Sequence, residues 1–451
     1  MAKTINLTEG SITKTLFTLA IPIMGTSFVQ MSYNLINMFW VGRIGTGAVA
    51  AVGTAGFFLW LSNAFILIPK IGAEIGVAQS TGQNDRKEVK SYIKHSIQMG
   101  VVLALLYGLA MISFRNSLIS FFNLGDEGII QATIKYLVII SCGFVFIFIN
   151  PIFTSIFNGS GDSKTPFVIN SIGIIINVLL DPLLILGIGP FPRLEVVGAA
   201  IATLISQGVA TFLFIMIARK SPSVFSELHL LQKPDLFHVR RIVKLGIPAA
   251  LQSGIFSIIG MVIARIIANW GPIPIAVQKV GSQIEAISWM TAGGFQSAVS
   301  AFVGQNYGAQ KWDRVRRGYW KGILIVSFIG VFATALLYFG SRPLFSVFIQ
   351  EEEAIQYGIQ YLKILAFSQL FMCIEITTAG AFNGLGRTMP PSIVGIILNA
   401  IRIPGAMILS STSLGLDGIW WAISISSILK GIVLMLWYIF MSKRQEIIKI
   451  S

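Results

Sequence analysis

The sequence predicts an all-α integral membrane protein. We expect twelve transmembrane helices in two six-helix lobes, related by a pseudo-two-fold axis along the membrane normal. The first observation behind this is composition: of 451 residues, 54% are hydrophobic and 12% are charged, with a mean hydropathy of +0.77. Soluble domains have about twice that charged fraction. The other two observations are an internal duplication and an uneven distribution of positive charge.

Twelve apolar runs are each long enough to cross the hydrocarbon layer, which takes about 20 residues. They are apolar throughout rather than alternating, which excludes a transmembrane β-barrel. The first run is too long for a signal peptide, so we expect it to stay in the mature chain. The runs lie at about 15–40, 48–80, 92–114, 131–158, 165–188, 196–218, 242–268, 273–305, 317–340, 355–383, 390–410 and 416–441.

The duplication relates the two halves of the chain at an offset of 226 residues. Leu-Ala-Ile-Pro at 19–22 matches Leu-Gly-Ile-Pro at 245–248, and helix-length apolar segments follow both. Matches at both ends of a 60-residue window without a gap indicate a repeat rather than chance. Since each half has an even number of helices, both halves have the same orientation. The space between the lobes is then the expected path of a transported substrate.

The long polar connection between the halves divides the chain into three parts. We predict an N-terminal six-helix lobe at 1–218, a cytoplasmic linker at 219–241 and a C-terminal six-helix lobe at 242–451. If the connections are assigned alternately to two sides, one side has 22 lysines and arginines and the other has 6. The positive-inside rule therefore predicts that both termini and the linker are cytoplasmic, in the cell (plasma) membrane. The formal charge of +14 is thus a topology signal, and we expect no nucleic-acid partner.

Several motifs together resemble the MATE (multidrug and toxic compound extrusion) family. They are Leu-x-Ile-Pro opening helices 1 and 7, Gln-Ser-Thr-Gly-Gln at 79–83, Val-Gly-Gln-Asn-Tyr-Gly-Ala at 303–309, Asn-Gly-x-Gly at 158–161 and 383–386, and Asn177-x-x-x-Asp181-Pro182. The resemblance covers nearly the whole chain. It implies an antiporter that exports small organic compounds, often cationic and amphipathic, in exchange for Na⁺ or H⁺. No cofactor is expected beyond the coupling ion, and the expected partners of this monomer are a small-molecule substrate and the lipid bilayer.

Acidic residues at membrane depth are the first candidates for ion coupling, because an ionised carboxylate in hydrocarbon needs a partner, water or a proton. Asp181 lies before Pro182, which removes a backbone donor, and one turn after Asn177. Carboxylate and amide oxygens there suit a sodium ion, and the carboxylate suits a proton. The alternative is that Asp181 only satisfies the break at Pro182. The resemblance implies that Asp181 and Asn177 belong to a cation site of the N-terminal lobe.

Helix 1 carries a second group of polar residues. In one branch of the family an aspartate lies fifteen residues after the helix-opening proline, and counting from Pro22 gives Asn37. Asn37 cannot titrate, but its carbonyl oxygen can bind a cation, which slightly favours sodium or, alternatively, coupling through Asp181 alone. Asn34 shares a face with Asn37, and Tyr33 and Gln30 are nearby. We expect Gln30, Tyr33 and Asn34 to line the substrate cavity, with an ordinary interhelical polar contact as the alternative.

The second lobe has its own acidic candidates, Glu285 and Glu375. Helix 7 has no acid where some branches of the family have one, so that lobe's cation site does not transfer cleanly. Arg265 and Arg402 are expected as ion-pair partners, and such a pair would be structural. Pro22 and Pro248 recur at the same place in both halves, so we predict that they are hinges.

Two other classes of function were weighed against the antiporter. A flippase for a lipid-linked precursor, in the same broad superfamily, would need a strongly basic central cavity, and the intramembrane basic residues are few and scattered. An enzyme would need a catalytic group of residues at depth. We expect none, and no metal site beyond possible Na⁺ at Asp181, since His95, His229 and His238 are expected in polar connections.

Overall fold

A computed structural model describes residues 6–220, 230 and 232–443, except for the side chain of Asn34. These residues form sixteen α-helices and no β-strand, which confirms the all-α prediction. The helices are α1 (Ile12–Gly42), α2 (Thr46–Gly82), α3 (Arg86–Ser113), α4 (Arg115–Ser120), α5 (Glu127–Cys142), α6 (Phe144–Gly159), α7 (Lys164–Leu186), α8 (Glu195–Arg219), α9 (Leu236–Ile267), α10 (Pro272–Gly308), α11 (Trp312–Phe339), α12 (Ser341–Ser346), α13 (Glu352–Gly384), α14 (Met389–Ala400), α15 (Arg402–Ser410) and α16 (Leu416–Lys443).

The helices account for the predicted spans. In the described part of the chain, ten helical segments are long and apolar enough to cross a membrane, and the bent pair α5 and α6 makes an eleventh. The pair bends by 51° at Gly143, where an added Cβ would lie 2.5 Å from the Cδ1 atom of Leu204 on α8, so a larger residue would make that side chain shift. The remaining predicted run corresponds to α10, which has 37 residues but carries Lys279 and Glu285 in its first half.

The described residues divide into two compact units. The N unit comprises residues 21–220, 230 and 232–247, and the C unit comprises residues 6–20 and 248–443. These bounds differ from the predicted lobes, because the start of α1 groups with the C unit and the start of α9 groups with the N unit. The changes fall beside Pro22 and at Pro248, inside continuous helices. A hinge role for the two prolines remains a prediction.

Small residues set the helix packing that positions the polar groups of the N unit. An added Cβ on Gly25 of α1 would lie 2.7 Å from the ring of Phe167 on α7, and one on Gly173 of α7 would lie 3.3 Å from the Cβ of Ala210 on α8. Close approach at small residues is the usual means by which helices associate in membranes. The polar face of α7 is thereby held against α1 and α8.

Glycines serve the same purpose in the C unit. An added Cβ on Gly380 of α13 would lie 2.3 Å from the backbone oxygen of Gln296 on α10, whereas one on Gly293 of α10 would meet nothing within 4 Å. We expect Gly380→Ala to lower the free energy of unfolding by about 1–3 kcal/mol through overpacking. Gly293→Ala is the matched control and should gain up to about 1 kcal/mol of helix propensity. Unfolding in detergent measures both, and equal stabilities would contradict this packing.

Candidate functional site

The structure brings Asp181 and Asn37 together. Asn37 of α1 donates from Nδ2 to Oδ2 of Asp181 on α7, at 3.2 Å, although the two residues are 144 positions apart in the sequence. Asp181 is fully buried and Asn37 is 8% exposed. A buried carboxylate with one amide donor is only partly compensated for its lost hydration. Binding of a cation or a proton to the pair would therefore supply the compensation that the buried carboxylate lacks.

Asn177 adds further unused polar atoms beside this pair. It lies one turn before Asp181 on α7 and is 1% exposed. Asp181 Oδ1 and both side-chain polar atoms of Asn177 are buried with no hydrogen-bond partner among the described residues. Buried polar atoms without partners are rare in proteins and call for an explanation. Carboxylate and amide oxygens are ligands that hard cations prefer, so these atoms fit a sodium ion as well as a proton on the carboxylate.

A small, partly open pocket inside the N unit, with a volume of about 20 Å³, lies next to these residues. Gln30 and Tyr33 of α1 line it together with Asn177, and a role of the first two in binding substrate remains a prediction. The hydroxyl of Tyr33 is 3.1 Å from Oγ1 of Thr203 on α8, which fixes the ring at the pocket wall. The side chain of Asn34 lies outside the described part. The lining residues are Gln30, Tyr33, Asn170, Gly173, Ile174, Asn177, Ser206, Gln207 and Ala210.

A polar network behind the pocket was missed by the sequence reasoning. Asn150 of α6 donates from Nδ2 to Oε1 of Gln207 at 2.7 Å, and Thr211 donates to Oδ1 of Asn150 at 2.7 Å. Asn170 of α7 donates to Oγ1 of Thr154 at 3.2 Å. The available signal was the row of amides and hydroxyls within otherwise apolar runs. The network connects α6, α7 and α8 on one side of the pocket.

In the C unit, Glu375 has a different partner from the one predicted. Its Oε2 lies 3.0 Å from Nζ of Lys430 on α16, and both side chains are about nine-tenths buried. Arg265 is exposed and Arg402 pairs with hydroxyls instead, donating to Oγ of Ser426 and of Ser427. Glu375 pairs with Lys430 rather than with an arginine because α13 lies against α16. Glu375 is therefore held in a buried ion pair.

Glu285 is placed differently. It is half-buried on α10, and its Oε2 accepts a long hydrogen bond of 3.4 Å from Nε2 of Gln369 on α13. Its other oxygen, Oε1, makes no hydrogen bond of ordinary geometry with a described residue, but the hydroxyl of Tyr361 and the guanidinium of Arg402 act on this carboxylate. A role of Glu285 in binding a proton or a cation remains a prediction.

The long apolar helices, the repeat and a polar pocket with a buried, incompletely paired carboxylate together define a multi-pass membrane transporter. The sequence model of the MatE family matches residues 22–183 and again residues 248–408, starting at the two equivalent prolines. The chain belongs to this family. The two matches confirm both the resemblance and the duplication, and a protein of this family is a transporter rather than an enzyme.

Relatives and solved structures agree with this membership. A probable multidrug resistance protein, NorM of Thermotoga maritima, is 28% identical over 91% of this chain and 88% of its own length. A FAD transporter of Shewanella oneidensis is 26% identical over 94% of each chain. A crystal structure of a MATE protein in a straight conformation superposes with a TM-score of 0.91 at 24% identity, covering 99% of both chains. The last similarity supports the fold.

Proposed function

We propose that this protein is a secondary active antiporter that exports small amphipathic organic compounds, often cationic, in exchange for Na⁺ or H⁺. The observation that carries the proposal is the buried Asp181, with one oxygen bonded to Asn37 and the other without a partner, beside the pocket of the N unit. The proposal includes cytoplasmic termini, a plasma-membrane location and a monomeric state.

The composition of the pocket favours cationic or neutral substrates over anionic ones. None of its nine lining residues is basic, and one of them, Asn177, lies one helical turn from Asp181. A pyrophosphate-linked lipid or a dinucleotide would meet amides, hydroxyls and a carboxylate without a compensating positive charge. For this reason we infer that the substrate class resembles that of the multidrug relatives more than that of the FAD transporter.

Coupling in this scheme works through the contact between α1 and α7. A cation or proton at the unpaired Oδ1 of Asp181 lowers the negative charge that Oδ2 presents to the amide of Asn37, so it changes the free energy that holds α1 against α7. α1 also forms a wall of the pocket through Gln30 and Tyr33. An ion that binds the two packings of α1 with different affinity therefore changes the affinity for substrate as well, which is the condition for coupled exchange.

The proposal is tested by efflux of a fluorescent organic cation from proteoliposomes under a sodium gradient and a pH gradient imposed separately. We expect one of the two gradients to drive export, and Asn37 in place of a second carboxylate favours sodium. Empty liposomes under the same gradients are the control: if they lose the dye as fast as proteoliposomes do, the efflux is leakage. If neither gradient moves any organic cation, the antiporter proposal fails.

A further inference from the structure

Two histidines and two carboxylates meet where the linker between the halves enters α9, all within the N unit. The group, here called the histidine cluster, consists of Glu88, His95, Asp235 and His238. The sequence reasoning expected His95 and His238 in polar connections, but they lie in α3 and α9 and are 1% and 7% exposed. His229 lies outside the described residues. The transport scheme above makes no use of these groups.

The hydrogen bonds of His95 define its protonation state. Its Nδ1 lies 2.7 Å from the backbone oxygen of Ser91, and its Nε2 accepts the backbone N–H of Asp235 at 2.8 Å. Because a carbonyl can only accept and an N–H can only donate, both contacts are satisfied only by the neutral ring with the proton on Nδ1. A proton on Nε2 would face the Asp235 N–H and break the contact between α3 and the end of the linker.

His238 requires the opposite state. Its Nδ1 lies 2.6 Å from Oδ2 of Asp235 and its Nε2 lies 3.2 Å from Oε2 of Glu88. Two carboxylates are satisfied together only when both ring nitrogens donate, that is, by the imidazolium. The two rings stack with centroids 5.0 Å apart and planes 9° apart. Two positive charges at that separation repel each other, so one charged ring disfavours a charge on the other.

The surrounding groups complete the electrostatic balance. Lys94 adds positive charge next to His95, and the guanidinium of Arg241 lies 5.8 Å above the ring of Tyr92, which contacts His238 edge-on. α2 contributes an apolar wall at this point, where Gly76 faces Tyr92. The hydrogen bond from His238 holds the pKa of Asp235 below its ordinary value. Protonation of Asp235 itself therefore removes stability as the pH falls below about 4, outside the range where histidines titrate.

The corresponding contact of the C unit does not depend on pH. There Arg314 of α11, which aligns with Glu88 at the offset of 226, donates to the backbone oxygens of Leu7, Glu9 and Gly10 at 3.0–3.1 Å. This holds the segment before α1 as the histidine cluster holds the segment before α9. A guanidinium is always charged. The two halves of the repeat thus hold equivalent segments with different groups: a permanently charged guanidinium in the C unit and titratable imidazole rings in the N unit.

We propose that the histidine cluster is a proton-operated latch, which holds the end of the linker against α3 only while exactly one of its two rings is charged. Acid charges both rings and breaks the bond from the Asp235 amide to His95. Alkali neutralises His238 and removes one of its two donors to the carboxylates. Gln98 reinforces the closed latch by donating to the backbone oxygens of Leu230 and Gln232 at 2.7 and 2.8 Å.

Hydrogen–deuterium exchange of the full-length protein in detergent tests the latch without reference to transport. After correction for the intrinsic pH dependence of exchange, protection of peptides covering 232–240 should pass through a maximum between about pH 5 and 8. On either side of the maximum it should fall by up to about tenfold per pH unit. A flat profile for the wild type would overturn the proposal.

Paired variants test the two sides of the profile separately: the fall in protection below the maximum, here called the acid limb, and the fall above it, the alkaline limb. His95→Gln places an amide oxygen near the Nε2 position and cannot titrate, so it should keep the protection and lose the acid limb. His95→Asn reaches only Ser91 and should lose protection at every pH. His238→Gln should lose the alkaline limb. His229→Gln removes the only other histidine and should leave both limbs in place. If protection in His95→Gln still falls on the acid side of the maximum, the proposal is overturned, even when the wild-type profile has the expected shape.

Discussion

Replacing Asp181 by asparagine is expected to slow ion-driven export strongly. The amide has the size of the carboxylate and can still contact Asn37, so the packing of α1 on α7 should survive, but it carries no charge and cannot take up a proton. A coupling free energy of about 1–3 kcal/mol corresponds to a 5- to 150-fold change in the affinity for substrate. We expect the gradient-driven rate to decrease by a factor of similar size. Efflux from proteoliposomes under the gradient that drives the wild type measures it.

Asp313→Asn is the matched control for this experiment. Asp313 is 79% exposed on α11 and pairs with Arg317 only at 3.7 Å, so the same chemical change there should leave transport unaltered. Export that remains gradient-driven in Asp181→Asn would exclude the N-unit site and move coupling to Glu285. Correct folding of the variant is checked by its elution as a single species in detergent.

Breaking the buried pair of Glu375 and Lys430 should cause the largest loss of stability. Lys430→Met leaves a carboxylate without its partner in a buried site, and Glu375→Leu leaves an ammonium. Each single change should lower the free energy of unfolding by about 3–5 kcal/mol, whereas the double change should cost much less, because no unpaired charge remains. Titration with a denaturing detergent, followed by circular dichroism, measures all three variants.

The exposed pair of Asp313 and Arg317 provides the comparison. Its removal should change the free energy of unfolding by less than about 1 kcal/mol, because both groups are solvated. Additive losses in the double variant of Glu375 and Lys430 would show that the two charges do not compensate each other. They would also reopen a coupling role for Glu375.

The helices were predictable because a membrane leaves the chain little choice. Backbone groups in hydrocarbon must be paired within the segment, so a long apolar run becomes a helix whatever surrounds it. Hydropathy did not predict two details of these helices, the bend at Gly143 and the failure of α10 to reach the apolar character of the other spans. The lobe bounds were less accessible, since nothing in the composition of residues 6–20 indicates that this segment groups with the C unit.

The site was predictable in part. Asp181 and Asn177 stood out because an acid and an amide one turn apart share a helix face whatever the fold. Asn37 was tied to Asp181 only through the family resemblance, since 144 residues separate them. The network around Asn150 and the pairing of Glu375 with Lys430 depend on how each helix is rotated about its axis, and hydropathy does not encode that rotation.

The class of protein, the two-fold repeat and the candidate acids were accessible from the sequence, because they follow from local composition and from spacing along single helices. Only the tertiary structure decided which acid is paired and which is not, and that His95 and His238 stack against each other beside two carboxylates. Those outcomes depend on contacts between helices distant in sequence. Such contacts are set by small residues such as Gly25 and Gly173, whose close approaches become visible only when the helices are packed.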